Sequence, residues 1–129
     1  MRLVLTACGL ALGLAACAPR RDAPPAASLD VYKRIVALDI VRSTPGAYCQ
    51  PGEEMLKSVV ILELQISADG ALLAASLVRS NGHPELAQVA LDSVKAAAPF
   101  APPESGQVQF LETFLFRQDG CFLIRSLVR

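Results

Sequence analysis

The residues best able to do chemistry in this sequence are its four cysteines and its single histidine. The cysteines are Cys8, Cys17, Cys49 and Cys121. His83 alone cannot supply a two-histidine metal site, and its place before Pro84 predicts that it precedes a helix. No serine stands in a nucleophile-elbow context and no phosphate-binding loop is present. We therefore expect no catalysis, no bound metal and no cofactor.

Cys17 follows a short apolar run that ends in Leu14-Ala15-Ala16. With the early cation Arg2, this layout is typical of a secretory signal peptide, and its exit resembles the bacterial lipobox. Cys8 fits the lipobox locally, but the apolar run before it is too short. We expect residues 1–16 to be removed and Cys17 to be acylated. An ordinary signal peptide with an incidental cysteine is the alternative.

The segment after Cys17 predicts where the protein is held. Ala18 replaces the aspartate that usually retains lipoproteins in the inner membrane, so we expect a periplasm-facing anchor, more readily in the outer membrane. Residues 17–27 are Pro-rich and predict a tether that reaches roughly 30 Å when extended. Residues 28–129 remain for one domain.

Cys49 and Cys121 are the cysteines left in that domain. In an oxidising compartment they predict one disulfide, which would join the loop before the first strand to the last strand. Two free thiols, or a metal site built from two isolated cysteines, are the alternatives.

Charge and composition exclude some partners. The formal net charge is zero, tryptophan is absent and aromatic residues make up 5% of the chain. Without a basic patch or stacking side chains we expect no nucleic-acid partner. The acidic pair Glu53-Glu54 predicts only a solvated loop.

Hydrophobic periodicity predicts two helices and four strands. The helices cover Leu29–Val41 and Leu86–Ala97; the strands cover Ser58–Ser67, Leu72–Arg79, Val108–Phe116 and Cys121–Val128. Asp69-Gly70 and Asp119-Gly120 predict hairpin turns. The fold class is α+β, an antiparallel sheet of three to four strands with two helices packed on it, in the order α-β-β-α-β-β. Glu112 interrupts an otherwise apolar strand face.

The order and spacing of several short motifs carry a family resemblance. The motifs are Val60-x-Leu62-x-Leu64-x-Ile66-x-x-Asp69-Gly70, Leu77-Val78-x-Ser80-x-Gly82-x-x-x-Leu86, Ala90-Leu91-x-x-Val94 and Pro99-Phe100-x-Pro102-Pro103. From Met55 to Phe116 the chain resembles the C-terminal domain of the TonB family, and more distantly that of TolA. The resemblance implies a protein partner, an extended segment of an outer-membrane receptor that adds to the sheet. We expect the last strand to form an edge of that sheet.

The chain departs from the TonB pattern before this domain, where neither a transmembrane helix nor a long Pro-rich spacer is evident. We therefore expect an adaptor or accessory of an envelope transport complex rather than an energy transducer. A structural envelope lipoprotein, and a small-ligand carrier that uses the groove between helix and sheet, are the alternatives.

Overall fold

The computed structural model describes residues 28–50 and 55–128. The predicted signal peptide, Cys17, the tether and Glu53-Glu54 lie outside the described residues. The helices are α1 (Leu29–Ser43) and α2 (Pro84–Ala97), and the strands are β1 (Leu56–Ile66), β2 (Leu72–Ser80), β3 (Val108–Arg117) and β4 (Phe122–Ile124). Within the described part of the chain, neither helix is long and apolar enough to cross a bilayer.

The four strands form one antiparallel sheet in the order β2-β1-β3-β4. Both helices cover the same face of it, and this confirms the predicted α+β class. The strict alternation of β1 explains the arrangement, because every second side chain points to the helices. Four of them are fully buried: Val60, Leu62, Leu64 and Ile66.

Each helix contributes one apolar stripe to this core. The buried residues of the stripes are Tyr32, Val36, Ala37 and Ile40 on α1, and Leu86, Ala87, Ala90 and Val94 on α2. Small alanines on both stripes let the helices pack closely on the sheet. Leu29, which the sequence places on the apolar stripe of α1, is 45% exposed because it lies in the first turn, at the rim of the core.

The last predicted strand, Cys121–Val128, is wrong in its length. Strand β4 ends at Ile124, and a 3₁₀ helix follows at Arg125–Leu127. Phe122 and Ile124 are fully buried, as β-alternation requires. Beyond them the chain turns so that Ser126 can donate a hydrogen bond to the buried Glu112 and Leu127 can pack against the core.

Gly70 holds the β1–β2 turn against the loop that follows α2. Its carbonyl oxygen accepts a hydrogen bond from the Phe100 N–H at 2.8 Å, and its φ is +95°. A Cβ at this position would lie 3.1 Å from the Phe100 carbonyl carbon and closer still to its oxygen. Glycine is therefore required here both by conformation and by space.

We expect Gly70→Ala to destabilise the protein by about 3 kcal/mol, since it combines a left-handed alanine with a main-chain clash. Gly120→Ala is the matched control, because Gly120 has a similar φ of +92° and no atom near its missing Cβ. It should cost only about 1–2 kcal/mol. Urea unfolding of both variants measures the difference. Equal losses at the two positions would show that the contact with Phe100 contributes nothing.

Candidate protein-binding site

Strand β2 is an open edge of the sheet. It pairs only with β1, and among the described residues no main-chain hydrogen bond outside the helices and the sheet involves Leu72–Ser80. Its outer side therefore presents a row of unpaired amides and carbonyls. Such a row is the structural requirement for adding a partner strand.

The side chains of β2 make this edge unusually apolar. Leu73, Leu77 and Val78 are 51%, 47% and 54% exposed, and Arg79 is the strand's only charged residue. Most proteins protect an edge strand with lysine, proline or a short length. Here six of the nine residues are exposed and the strand carries a single charge, which favours an edge that meets another apolar strand.

The register between β2 and β1 shifts at two points. One irregularity lies between the partners of Ile61 and Leu62, and the other between those of Gln65 and Ile66. Val78 and Leu73 are the extra residues at these points, and both are exposed. Bulges increase the local twist of an edge. The regular part of the binding edge is therefore the segment Ala74–Leu77.

The opposite edge of the sheet, at β4, is already occupied. The Phe122 N–H donates to the Ala47 carbonyl at 2.9 Å, and the Cys49 N–H donates to the Phe122 carbonyl at 2.8 Å. The segment Ala47–Cys49 thus lies beside β4 and pairs with it in parallel through a single bridge between Tyr48 and Phe122. We call this segment the edge cover.

Three interactions hold the edge cover in place. A disulfide joins Cys49 to Cys121, whose Cα atoms are 5.0 Å apart. The Arg117 guanidinium donates to the Gln50 carbonyl at 2.6 Å. The ring of Tyr48 packs edge-to-face on Phe122 with centroids 6.2 Å apart. Asp119 brings a carboxylate within 4.8 Å of both sulfurs, but sulfurs bonded to each other do not ligate a metal.

The structure therefore changes which edge is available. The expectation that the last strand forms an edge of the sheet is correct, since β4 ends the sheet, but the edge cover pairs with its outer side at Phe122. Sequence reasoning missed β2 as the exposed edge. One signal was available. Apolar and polar residues alternate only weakly along Leu72–Ser80, as is expected of a strand with neither face fully buried.

His83 lies apart from the cysteines and precedes α2, as the sequence predicts. Its main-chain carbonyl accepts hydrogen bonds from the N–H groups of Leu86 and Ala87. Its imidazole makes no capping bond, and its Nδ1 lies 3.6 Å from the Glu85 carboxylate. Its role at this position is to begin the helix through its backbone.

A cavity of about 260 Å³ lies beside the start of α1, between Leu29, Tyr32 and the loop at Pro103. It is smaller than a typical small-molecule site, which occupies roughly 300–1,000 Å³. It lies where the first turn of α1 meets Val108 at the start of β3, at the rim of the groove between helix and sheet, and only its small volume counts against a ligand there. It therefore gives little support to the small-ligand alternative.

Comparison with known proteins identifies the segment that contains β1, β2, α2 and β3. The model of the Gram-negative bacterial TonB protein C-terminal family matches residues 53–117, half of the 129-residue chain. The chain belongs to the TonB C-terminal family. Domains of this family are envelope-associated modules that interact with other proteins. The resemblance drawn from Met55 to Phe116 is thereby confirmed.

Among solved structures, the chain is similar to the NMR structure of the Helicobacter pylori TonB C-terminal domain. The two share 19% sequence identity with a TM-score of 0.48, and the alignment covers 74% of this chain and 96% of that one. No curated protein matches the chain. The TonB match ends at residue 117 and begins after Cys49, so both halves of the edge-cover disulfide lie outside it.

Glu112 is an ionisable side chain within the core of this TonB C-terminal domain. It is 1% exposed on the helix-facing side of β3. Its carboxylate accepts hydrogen bonds from the Ser126 hydroxyl at 2.7 Å and from the Thr113 N–H at 3.1 Å. Burial raises the pKa of Glu112, and these hydrogen bonds, together with the charge of Lys33, offset part of the rise. The residue fastens the C-terminal 3₁₀ helix to the sheet.

Because the pKa of Glu112 is raised in the folded state, the folded protein holds this proton more tightly than the unfolded chain. Its contribution to stability is complete below the ordinary pKa of 4.5 and is lost as pH rises to the folded value. We expect Glu112→Gln to remove this loss, so that its stability relative to wild type increases with pH. Urea unfolding between pH 4 and 8 measures this. Glu104→Gln, at an exposed carboxylate, is the control, and parallel profiles for wild type and Glu112→Gln would contradict the expectation.

Proposed function

We infer that the protein is a periplasm-facing lipoprotein whose TonB C-terminal domain binds an envelope protein by strand addition at β2. The observation that carries this proposal is the open edge of β2, which is long, nearly uncharged and free of other main-chain hydrogen bonds among the described residues. Membership of the TonB C-terminal family supports a protein as the partner.

The chemistry of the edge defines the segment that it would accept. Main-chain hydrogen bonds to β2 require an extended partner, and they supply affinity with little dependence on sequence. Selectivity then comes from side chains, and Leu73, Leu77 and Val78 favour an apolar partner without charges at the matching positions. An extended segment of an outer-membrane receptor or transport complex meets these requirements.

The anchor would determine which partners come within reach. An acylated Cys17 and a tether over residues 17–27 would hold the domain within roughly 30 Å of the membrane surface. From an outer-membrane anchor, this distance favours a partner embedded in or resting on the same membrane. The role that follows is an adaptor or accessory in envelope transport. The alternative is a purely structural envelope lipoprotein, which would give no adduct in the photo-crosslinking experiment below.

Photo-crosslinking in the native envelope tests the binding edge. A photoreactive residue at the exposed Ser76 should yield an adduct with one envelope protein. Leu73→Lys should reduce that adduct about tenfold, because a strand added at β2 would have to desolvate the new charge. The matched control is Leu111→Lys, since Leu111 is similarly exposed, at 48%, but lies on β3, which is separated from β2 by β1.

Three results would contradict strand addition at β2. Equal loss of the adduct in both lysine variants would place the contact on the open face of the sheet. An adduct with only a second copy of this chain would replace the envelope partner by self-association. The absence of any adduct would favour the structural lipoprotein.

Membrane fractionation tests the anchor. We expect Cys17→Ser to release the protein from the membrane fraction, because the acyl chains supply the membrane affinity. Cys8→Ser is the control and should leave the protein membrane-bound. Unchanged membrane association of the Cys17→Ser variant would exclude the lipid anchor at this position.

A further inference from the structure

The edge cover places the chain's own backbone where a partner strand would otherwise bind β4. Both outward main-chain groups of Phe122 are hydrogen-bonded to it, through the Ala47 carbonyl and the Cys49 N–H. With the cover in place, β4 cannot pair with another strand at Phe122. Residues 108–113 of β3 lie beyond the three residues that pair with β4, so the cover guards only the Phe122 end of this side of the sheet.

We propose that the Cys49–Cys121 disulfide is a redox-controlled guard of this second edge, and that its reduction exposes β4 to strand addition. The proposal rests on strand addition as the mode of binding and adds its regulation. The disulfide is the covalent link between the cover and β4. Without it, the cover is held by two main-chain hydrogen bonds, the contact of Arg117 with Gln50 and the packing of Tyr48.

The exposure of the two cysteines indicates which sulfur a reductant would attack. Cys49 is 2% exposed, whereas Cys121 is half-buried beside the β3–β4 turn. A thiolate of a dithiol reductant would therefore attack Cys121 Sγ, forming a mixed disulfide and releasing Cys49 as a thiolate that takes up a proton. The second thiol of the reductant then closes its own disulfide and releases Cys121, so two electrons pass to the protein and both cysteines end as thiols.

The surroundings of Cys121 affect the rate at which a thiolate attacks its sulfur. The Asp119 carboxylate oxygen lies 3.0 Å from Cys121 Sγ. An incoming thiolate meets this negative charge, which slows the attack. The guard would then stay closed in a weakly reducing compartment and open when a dedicated dithiol protein docks beside the turn.

Residue-resolved amide hydrogen exchange tests the guard on the full-length chain in detergent, using dithiothreitol as the reductant. Thiol counting by mass spectrometry establishes that reduction is complete. We expect the Phe122 amide to exchange at least tenfold faster after reduction, while the amides of Val60–Gln65 in β1 keep their protection. The double variant Cys49→Ser/Cys121→Ser should show the fast Phe122 exchange with or without dithiothreitol.

Two results would overturn the proposal. A Phe122 amide that stays protected in fully reduced protein would show that the cover needs no disulfide. An equal rise in β1 exchange would make the bridge a general stabiliser of the fold rather than a guard of one edge. Neither result involves a partner, so the guard can fail while strand addition at β2 stands, and the crosslinking at Ser76 can fail while the guard stands.

Discussion

Strand β1 is the element on which the rest of the domain depends. It is hydrogen-bonded to β2 on one side and to β3 on the other, and it supplies four fully buried side chains to the core. Because β1 is paired on both sides over Val60 to Ile66, the unpaired main-chain groups of the sheet fall mainly on the outer sides of β2, β3 and β4. A sheet that does not close into a barrel must either leave such groups open or cover them.

The two edges of the sheet differ in whether their outward main-chain groups are hydrogen-bonded. At β4 the cover Ala47–Cys49 supplies the missing hydrogen bonds, and a disulfide links it to the strand's beginning. At β2 nothing in the described part of the chain does so, and the exposed side chains are apolar. The elements that match the TonB C-terminal family include the open edge and exclude both cysteines of the cover.

Local patterns were sufficient to predict most of the fold. The alternation of β1, the glycines of the two hairpin turns and Pro84 at the start of α2 each act within a few residues, so the sequence records them directly. Glu112 was visible as a misfit on an apolar face. Its hydrogen bond to Ser126 could not be predicted. That bond forms only because the last strand ends at Ile124 and the following 3₁₀ helix packs near α1, and both depend on contacts between distant residues. The cysteines indicated that the loop at Cys49 meets the last strand, but the main-chain pairing of the edge cover left no signal, since one parallel bridge has no periodicity. The open edge at β2 was hidden for a related reason, because the sheet order depends on long-range pairing.

The most direct test of this account is the pattern of amide hydrogen exchange along Leu72–Ser80 in the oxidised, full-length protein without a partner. Outward-facing amides of β2 should exchange rapidly, while their inward-facing neighbours and the amides of β1 remain protected. Uniform protection along β2 would contradict the account, because it would mean that this edge, like that of β4, is already covered.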